Sequence, residues 1–471
     1  MAVNKIKARE LTDKATRLLE TESGLSEDAK NIFTLLLSTL QALLGDVSLN
    51  SSNSNKPPAS DPNRKKKKKQ SSSKRSKGGQ PGHSGSQLNP VNNPDIIEEL
   101  KLDRRTLPRD TYQAAGYESR QVIDFNISIE VTEYRAQVWV NSTGKRYVAA
   151  FPAHVKRPVQ YGPTVKAHAV YLSQYQLIPY QRIADYFASQ VGLPLSTGSL
   201  FNFNHEAYEL LEKFESLSRE QLIDSHCIHA DETGININGK RLWLHTTCND
   251  QWTYFHPHHK RGKEAMDAMG ILPYFKVIVC HDHWKPYYTY TCLHSLCNSH
   301  HIRELTWSAE EDEQDWANRM INFLKKLNKQ VEKSGGKLTK KQSQYYRKRY
   351  RKILSEGETS CPPAKKIVGK RGRPKKTKSR NLLERLIDYE DDVLRFMDHV
   401  DVPFTNNLGE NDLRMTKVQQ KISGCFRSEV GAKIFCRIRG YLITCRKHGV
   451  SPDEALASLF KGKLPNFTNN L

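Results

Sequence analysis

The sequence has no hydrophobic run that could cross a membrane and no cysteine among its first 226 residues. No apolar stretch approaches the ~20 residues that span a bilayer, and the N-terminus lacks the charged, apolar and small-residue succession of a secretion signal. The nine cysteines, an odd number, are scattered from Cys227 onward, which argues against a disulfide framework. We therefore expect a cytoplasmic protein in a reducing compartment, with no membrane partner.

The sequence also contains fewer acidic than basic residues. The 471 residues include 73 Lys and Arg against 51 Asp and Glu, a net charge of +22. A surplus of this size favours polyanions as partners, nucleic acid first. The length allows two to four domains, and a hydrophobic content of 37% indicates long solvated stretches.

The first two segments are a helix and a basic linker. Residues 1–48 form the predicted N-terminal helix, because Phe33, Leu36 and Leu40 recur at three- and four-residue steps. Two interpretations of this stripe remain open, a short dimerising coiled coil and a helix packed on its own domain. Residues 49–90 read as a flexible linker with a cationic block suited to DNA phosphates. The block consists of Arg64, Lys65, Lys66, Lys67, Lys68 and Lys69.

The next two segments differ in periodicity. Residues 91–160 alternate apolar and polar positions, which predicts a small β-rich module. Residues 161–220 switch to helical spacing, with a turn at Gly192 and Pro194 and a second helix opening at Ser196. This arrangement is typical of a helix-turn-helix, which could be a DNA-binding region or an ordinary helix pair.

The C-terminal half predicts an α/β fold with a mixed sheet and flanking helices. Residues 221–309 contain strand-like runs, including a hairpin signal at Asn238–Gly239. Residues 310–400 are expected to be helical, interrupted by a basic stretch from Lys333 to Arg380. Residues 401–471 return to helical spacing.

Three acids stand in contexts that fit metal ligands. Asp231 follows a short apolar stretch and Asp282 follows the run from Lys276 to Cys280, so both are expected at strand ends. Glu410 begins a predicted helix. Together they could hold two divalent cations about 4 Å apart, the arrangement that activates and stabilises the oxygens of a phosphodiester during cleavage.

Each acid also has a structural interpretation. Asp231 and Asp282 could be turn acids, and Glu410 has capping-box spacing to Asn407 and could bond to its backbone amide. Four further acids compete for the catalytic roles on chemistry alone: Glu232, Asp250, Glu304 and Asp412.

Cys297, His300 and Arg303 form a second group, after the second aspartate. A Cys-x-x-His spacing can supply two zinc ligands, but zinc needs four and no matching pair is evident, so we do not expect zinc. His300 and Arg303 could instead contact phosphate near the metals. Alternatively, this segment is only the start of a helix and has no role in chemistry.

Arg371 and Arg373 lie in a Lys-Arg-Gly-Arg-Pro-Lys-Lys segment. It is similar to an AT-hook, an extended basic segment that lies in the minor groove of A·T-rich DNA. Basic loops of this kind also occur without DNA binding.

Several longer motifs resemble the large transposase of the insertion-sequence-66 family of bacterial mobile elements, a DDE-type transposase. The resemblance covers nearly the whole chain and is carried by NSSNSNKPPASD with GGQPGHSG, LIPYQRIADYF with GLPLSTGSL, HADETG, CNSHHIREL, NLLERL, VPFTNNLGENDLRM, VQQKISGCFRS and FCRIRGYL. Two departures stand out. No paired cysteines occur in 91–160, where many relatives have a zinc-finger-like module, and Leu408–Gly409 replaces the usual Gln-Ala.

The resemblance implies a ribonuclease-H-like catalytic core with a helical insertion, and a triad that falls on Asp231, Asp282 and Glu410. It implies Mg²⁺ as cofactor, two ions, with Mn²⁺ able to substitute. It also implies double-stranded DNA as partner, a homodimer on DNA, small accessory proteins from the same element, and association with the bacterial nucleoid when bound to DNA.

The leading hypothesis is a transposase that binds terminal inverted repeats, cleaves the strand at each end and joins it to target DNA. The alternative is a catalytically inactive or domesticated DNA-binding protein derived from a transposase. A structure-specific nuclease of the same fold would differ only in lacking strand transfer.

Overall fold

The computed structural model describes residues 5–21, 24–48, 88–113, 115–363 and 376–468. The cationic block Arg64 to Lys69 and the pair Arg371 and Arg373 lie outside these residues. None of the helices in the described ranges is long and apolar enough to cross a membrane.

The N-terminal segment is two helices, α1 (Lys5–Thr21) and α2 (Glu27–Ser48), which contact each other. The prediction of one helix over 1–48 is therefore wrong in detail. The second helix starts anew after Ser26, whose hydroxyl accepts the Ala29 amide at 3.3 Å, with acids in its first turn. Phe33 and Leu36 are about half exposed, at 48% and 59%, so the described residues do not bury them in a core.

Residues 88–160 contain little regular structure in the described part. Two strands of three residues each, β1 (Val138–Val140) and β2 (Arg146–Val148), pair antiparallel, and both are exposed. The alternating run 121–129 forms no strand. Among the described residues, the predicted β-rich module is thus limited to one hairpin, because no second layer of them covers the apolar face that the alternation provides.

Four helices, α3 to α6, lie directly before the central sheet in the chain, and two of them match the predicted helix pair. The pair is joined at Gly192, which has a φ of 73°, and Ser196 caps the second helix by accepting the Ser199 amide at 3.0 Å. The first and second helices of the four continue as π-helical turns over 171–175 and 187–191. The four are α3 (Pro163–Val170), α4 (Tyr180–Tyr186), α5 (Thr197–Leu210) and α6 (Glu212–Ile223).

A five-stranded mixed sheet forms the centre of the protein, as predicted. Its strands are β3 (Cys227–Ile237), β4 (Lys240–Cys248), β5 (Thr253–His258), β6 (Ile278–His281) and β7 (Leu293–Leu296), with α7 (Lys263–Met269) between β5 and β6. The order is β5-β4-β3-β6-β7, with β3, β4 and β5 antiparallel and β3, β6 and β7 parallel. This topology is compatible with a ribonuclease-H-like core.

The hairpin between β3 and β4 turns at Asn238 and Gly239, as predicted. Their φ values are 47° and 80°, the positive range that a tight two-residue hairpin requires and that Asn and Gly adopt most readily. Beyond His229, β3 leaves β6, which pairs only with the three residues from Cys227 to His229. On that side β3 next meets Phe426, which forms a parallel bridge with Ile237.

Five helices follow the sheet: α8 (Asn298–Glu311), α9 (Asp315–Lys333), α10 (Lys340–Ser360), α11 (Lys378–Asp388) and α12 (Glu390–Leu394). The expected interruption of the helices from Lys333 to Arg380 is wrong over the 21 residues of α10, which lies within it. A capping box between Thr339 and Gln342 starts α10, and Tyr350 and Leu354 bury its inner face.

The chain closes with α13 (Asn407–Ser423), α14 (Glu429–Lys447) and α15 (Pro452–Leu459). Helix α14 is largely buried and contacts β5, α5 and α6. Together with the sheet and the helices that precede it, α14 forms one hydrophobic core. Helix α13 packs on β3 and β4, which brings its first turn to the edge where β3 leaves β6.

Candidate active site

Asp231 and Asp282 meet at one edge of the sheet. Asp282 directly follows β6, as predicted, but Asp231 lies inside β3, where it pairs with Thr246 of β4. The expectation that Asp231 ends a strand is therefore wrong, since the antiparallel ladder to β4 extends β3 to Ile237. The parallel pairing with β6 ends at His229 opposite Cys280. Each aspartate is two residues beyond that pair, on strands roughly 4.8 Å apart.

Glu410 joins the aspartates from α13. It lies in the first turn of the helix, next to Gly409. A Cβ atom added at Gly409 would lie 3.5 Å from the Cβ of Asp231, an ordinary van der Waals contact. The start of α13 thus rests directly on β3 at Asp231, and an alanine would also fit there. The departure from Gln-Ala leaves this approach intact.

A buried asparagine, which the sequence analysis did not single out, connects these elements. The Asn406 Oδ1 lies 2.7 Å from the His229 Nδ1, its Nδ2 donates to the Ala230 carbonyl at 2.9 Å, and its backbone N–H donates to the Cys297 Sγ at 3.1 Å. Its own carbonyl accepts the Glu410 amide at 3.2 Å. One residue therefore fixes the strand, the helix start and the cysteine together.

The turn after Asp282 is conformationally unusual. His283 has a φ of 72°, a left-handed conformation that non-glycine residues adopt rarely and often at functional sites. It directs the Trp284 backbone N–H onto the Asp282 Oδ1 at 3.0 Å. This bond orients the carboxylate at the end of β6.

The electrostatics are those of carboxylates sharing a small volume. Burial raises the pKa of Asp231 well above its usual value, and the nearby Glu232, Asp282 and Glu410 carboxylates raise it further. Burial also raises the pKa of Asp282, against the opposing bond from the Trp284 amide. The Glu410 pKa is raised by burial, opposed by Arg303. A bound cation would relieve all three effects.

The predicted supporting group of Cys297, His300 and Arg303 lies beside the Glu410 carboxylate. The Glu410 Oε1 is 3.7 Å from the His300 Nδ1 and 3.8 Å from the Arg303 Nη2. Ligand atoms of Cys297, His300 and Glu410 lie within 4.8 Å of one another, so these three could also hold a metal ion. Burial lowers the pKa of His300 to about 4, so its imidazole is neutral at physiological pH.

The capping-box interpretation of Glu410 is not realised. The residue before the helix is Asn406, and no side chain caps the helix. The Glu410 Oε1 is buried and has no hydrogen-bond partner in the part of the chain that the structure describes. The carboxylate is therefore available to a ligand.

The competing acids that are buried or half-buried are paired. Glu232 accepts from Arg261 at 2.9 and 2.6 Å and from the Tyr287 hydroxyl at 2.6 Å. Asp412 accepts from Lys447 at 2.9 Å, and Glu304 pairs with Arg385. By contrast, neither Asp231 nor Asp282 forms an ion pair with a described residue. Asp250 is exposed.

A family model of the transposase IS66 family matches residues 158–434, which contain all three acids. The chain belongs to this transposase family. Membership makes it a DNA-processing enzyme by family, of a kind that generally uses a divalent metal ion. It confirms the resemblance found in the sequence.

The chain also matches a second family model and one further protein. A family of unknown function matches residues 5–89, the N-terminal helices and the basic linker. An uncharacterized protein y4jO of Sinorhizobium fredii (strain NBRC 101917 / NGR234) is 37% identical over 70 residues, 15% of this chain. The match spans 22% of that protein, and its name carries no activity.

Proposed function

We propose that this transposase-family chain cuts and joins DNA by a DDE mechanism, with Asp231, Asp282 and Glu410 as the metal-binding acids. One observation carries the proposal. Carboxylates from β3, from the end of β6 and from the first turn of α13 lie within electrostatic reach of one another, and neither aspartate forms an ion pair with a cation of the described residues.

The donor set fits hard divalent cations. Oxygen ligands suit Mg²⁺ and Mn²⁺, and the Glu410 Oε1 is buried without a hydrogen bond. We propose that Asp231, Asp282 and Glu410 would hold two Mg²⁺ ions, with Mn²⁺ as substitute. When bound, such ions activate the attacking water or hydroxyl and stabilise the leaving oxygen.

The side chains around Glu410 support phosphate binding. Arg303 Nε is buried with no hydrogen-bond partner among the described residues, and a guanidinium can bind two phosphate oxygens at once. His300, neutral and equally short of a partner at Nδ1, could hold a proton near the same oxygens. Cys297 accepts the Asn406 amide and thereby orients the start of α13.

DNA ends would be bound by the N-terminal half and the basic segments. The helix pair α4 and α5 remains a candidate helix-turn-helix, although residues 197–210 include no Lys or Arg. The block Arg64 to Lys69 and the pair Arg371 and Arg373 would contact phosphates.

Helices α8 to α12 separate Asp282 from Glu410 in the chain, as expected for the family's helical insertion. Two ends must be held together, so we propose a dimer on DNA, with or without accessory proteins.

A cleavage assay on DNA from the flanks of the protein's own locus tests the proposal. With Mg²⁺ the wild type should nick these fragments and leave 3′-hydroxyl ends. Asp231→Asn, Asp282→Asn and Glu410→Gln should each lose at least about a hundredfold in rate, the order lost when one preorganised electrostatic group is removed. Asp250→Asn, an exposed acid nearby, is the matched control.

DNA binding is measured in parallel by footprinting. Cleavage retained by Asp231→Asn with binding intact would refute the assignment. A precut 3′-hydroxyl end and a target plasmid then distinguish the classes, because a transposase joins them and a nuclease does not. Binding without cleavage in the wild type would favour the inactive DNA-binding alternative.

A further inference from the structure

A polar cavity of about 630 Å³ begins one residue beyond Asp231. It follows β3 from Glu232 to Asn236, past the last residue that pairs with β6 and up to the bridge with Phe426. Gly234 is three residues from Asp231, roughly 10 Å along an extended strand. A DNA strand whose phosphate lies at Asp231 would therefore place a neighbouring nucleotide at this cavity.

The cavity is positively charged. Arg241, Arg261 and Lys417 line it, and the lining includes one acid, Glu232. That acid is already bonded to Arg261 and to the Tyr287 hydroxyl. Lys417 also bonds to the Gly234 carbonyl, and its pKa is lowered by burial and by the nearby Arg241. The charge left over favours an anion.

The cavity also offers flat stacking surfaces. The Arg241 and Arg261 guanidinium groups lie 4.8 and 4.9 Å from the centre of the Trp243 ring, and Arg261 lies 4.2 Å from that of Trp284. Trp243 is half-buried and Arg241 is exposed. Nucleic-acid bases stack on aromatic rings and on guanidinium planes of this kind, with little regard to sequence.

A glycine leaves room for the stack. Gly234 pairs with Trp243 across the ladder, and a Cβ atom at Gly234 would approach the Arg241 Nε to 3.0 Å and its Nη2 to 3.3 Å. Only a residue without a side chain leaves the guanidinium lying across β3 undisturbed. The site is thus built by the strand itself, next to the proposed catalytic acids.

We propose that Arg241, Trp243, Arg261 and Lys417 bind an unpaired nucleotide of the DNA strand being cut. The base stacks on the guanidinium–indole group, and the cations meet its phosphates. The inference rests on the proposed function for the identity of the strand, but binding at the cavity requires no catalysis.

Binding of a labelled thymidine hexanucleotide to the full chain in EDTA tests this. The probe is compared with an abasic hexamer of equal charge, which cancels contacts made by basic segments elsewhere. The wild type should prefer the thymidine oligomer by about fivefold to a hundredfold. The preference should fall close to one in Trp243→Ala and decrease in Gly234→Ala. It should persist in Trp139→Ala, an exposed tryptophan 67% accessible on β1.

Photocrosslinking with 5-iodouracil in the same oligomer, read by mass spectrometry, locates the base independently of any folding defect in the variants. Crosslinks to peptides containing Trp243 or Arg241 are expected. An unchanged preference in Trp243→Ala, crosslinks confined to other segments, or tighter binding of a duplex of the same length would each overturn the proposal. A crosslink at Trp243 without cleavage by the wild type would leave this site standing and count against the proposed function alone.

Discussion

The acids in the centre of this protein fall into two groups at the level of single residues. Glu232 and Asp412 each have a cationic partner within 2.9 Å. Among the described residues, Asp231 and Asp282 have backbone N–H donors only, although both are half-buried. A carboxylate withdrawn from water without a cation is costly, and the proposed metal ions would offset that cost.

This cost leads to a prediction for the thermal stability of the Asp231→Asn variant. A carboxyl whose pKa is raised by folding binds its proton more tightly in the folded state, so stability falls as pH rises from the unfolded pKa, about 4, towards the raised value. At pH 7.5 in EDTA we expect Asp231→Asn to melt at a higher temperature than the wild type. The difference should vanish below about pH 4. An equal or lower melting temperature at pH 7.5 would contradict the cause we assign to this pKa.

Asn406 should act as a positioning residue. Replacement by alanine removes its bonds to His229 and Ala230, at a cost of roughly 1–3 kcal/mol for the groups left unpaired. We also expect the Mg²⁺ concentration for half-maximal cleavage to rise by about 10- to 100-fold, as for other residues that orient metal ligands. Asn249→Ala, which also removes a partly buried asparagine's bonds, should lose stability without this shift. Equal metal dependence in the two variants would assign Asn406 a purely structural role.

At the level of elements, helix α13 carries Glu410 and is anchored two residues further along. Asp412 binds Lys447 of α14 at 2.9 Å and the Thr253 hydroxyl of β5 at 2.7 Å. Because both charged side chains are nearly buried, Asp412→Leu alone should cost about 3–5 kcal/mol by leaving Lys447 unpaired.

The double variant Asp412→Leu with Lys447→Met should recover most of that loss, since it removes both charges. Denaturant unfolding measures each variant. A double variant as unstable as the single one would show that the anchor works through packing rather than through the ion pair.

Local signals in the sequence predicted the elements whose causes are local. The Asn238–Gly239 hairpin, the Ser196 cap and the strand before Asp282 are all present, since each depends on residues adjacent in the chain. The position of Asp231 inside β3 was not predictable, because it depends on how far β4 and β6, distant in sequence, pair with that strand. Asn406 was missed for the same reason, since its partners are more than 100 residues away.

At the level of the whole molecule, the mixed sheet with flanking helices followed from the succession of patterns. The module at 91–160 did not, because alternation alone gives a strand only where another layer covers its apolar face. The N-terminal stripe illustrates the same point. Its periodicity predicted helices, but the exposure of Phe33 and Leu36 depends on what packs there.

The net charge of +22 leads to a prediction about salt. If the six cations from Arg64 to Lys69 all contact phosphate, replacing them by serine should make the slope of log K against log salt shallower by about 5. Binding to the protein's flanking DNA, measured across salt concentrations, gives the slope. Replacing six lysines spread over α9 and α10 is the charge-matched control. Equal slopes for the two variants would mean that the block acts only through total charge.

The most direct test of the central claim, that Asp231, Asp282 and Glu410 share one divalent-metal site, is cleavage of the protein backbone by bound Fe²⁺. With ascorbate and peroxide, Fe²⁺ in place of Mg²⁺ should cut the full chain near all three residues at once. Excess Mg²⁺ should suppress these cuts and Asp231→Asn should abolish them, while Asp250→Asn leaves them unchanged. Cuts near only one of the three acids, or cuts that survive Asp231→Asn, would contradict a shared site.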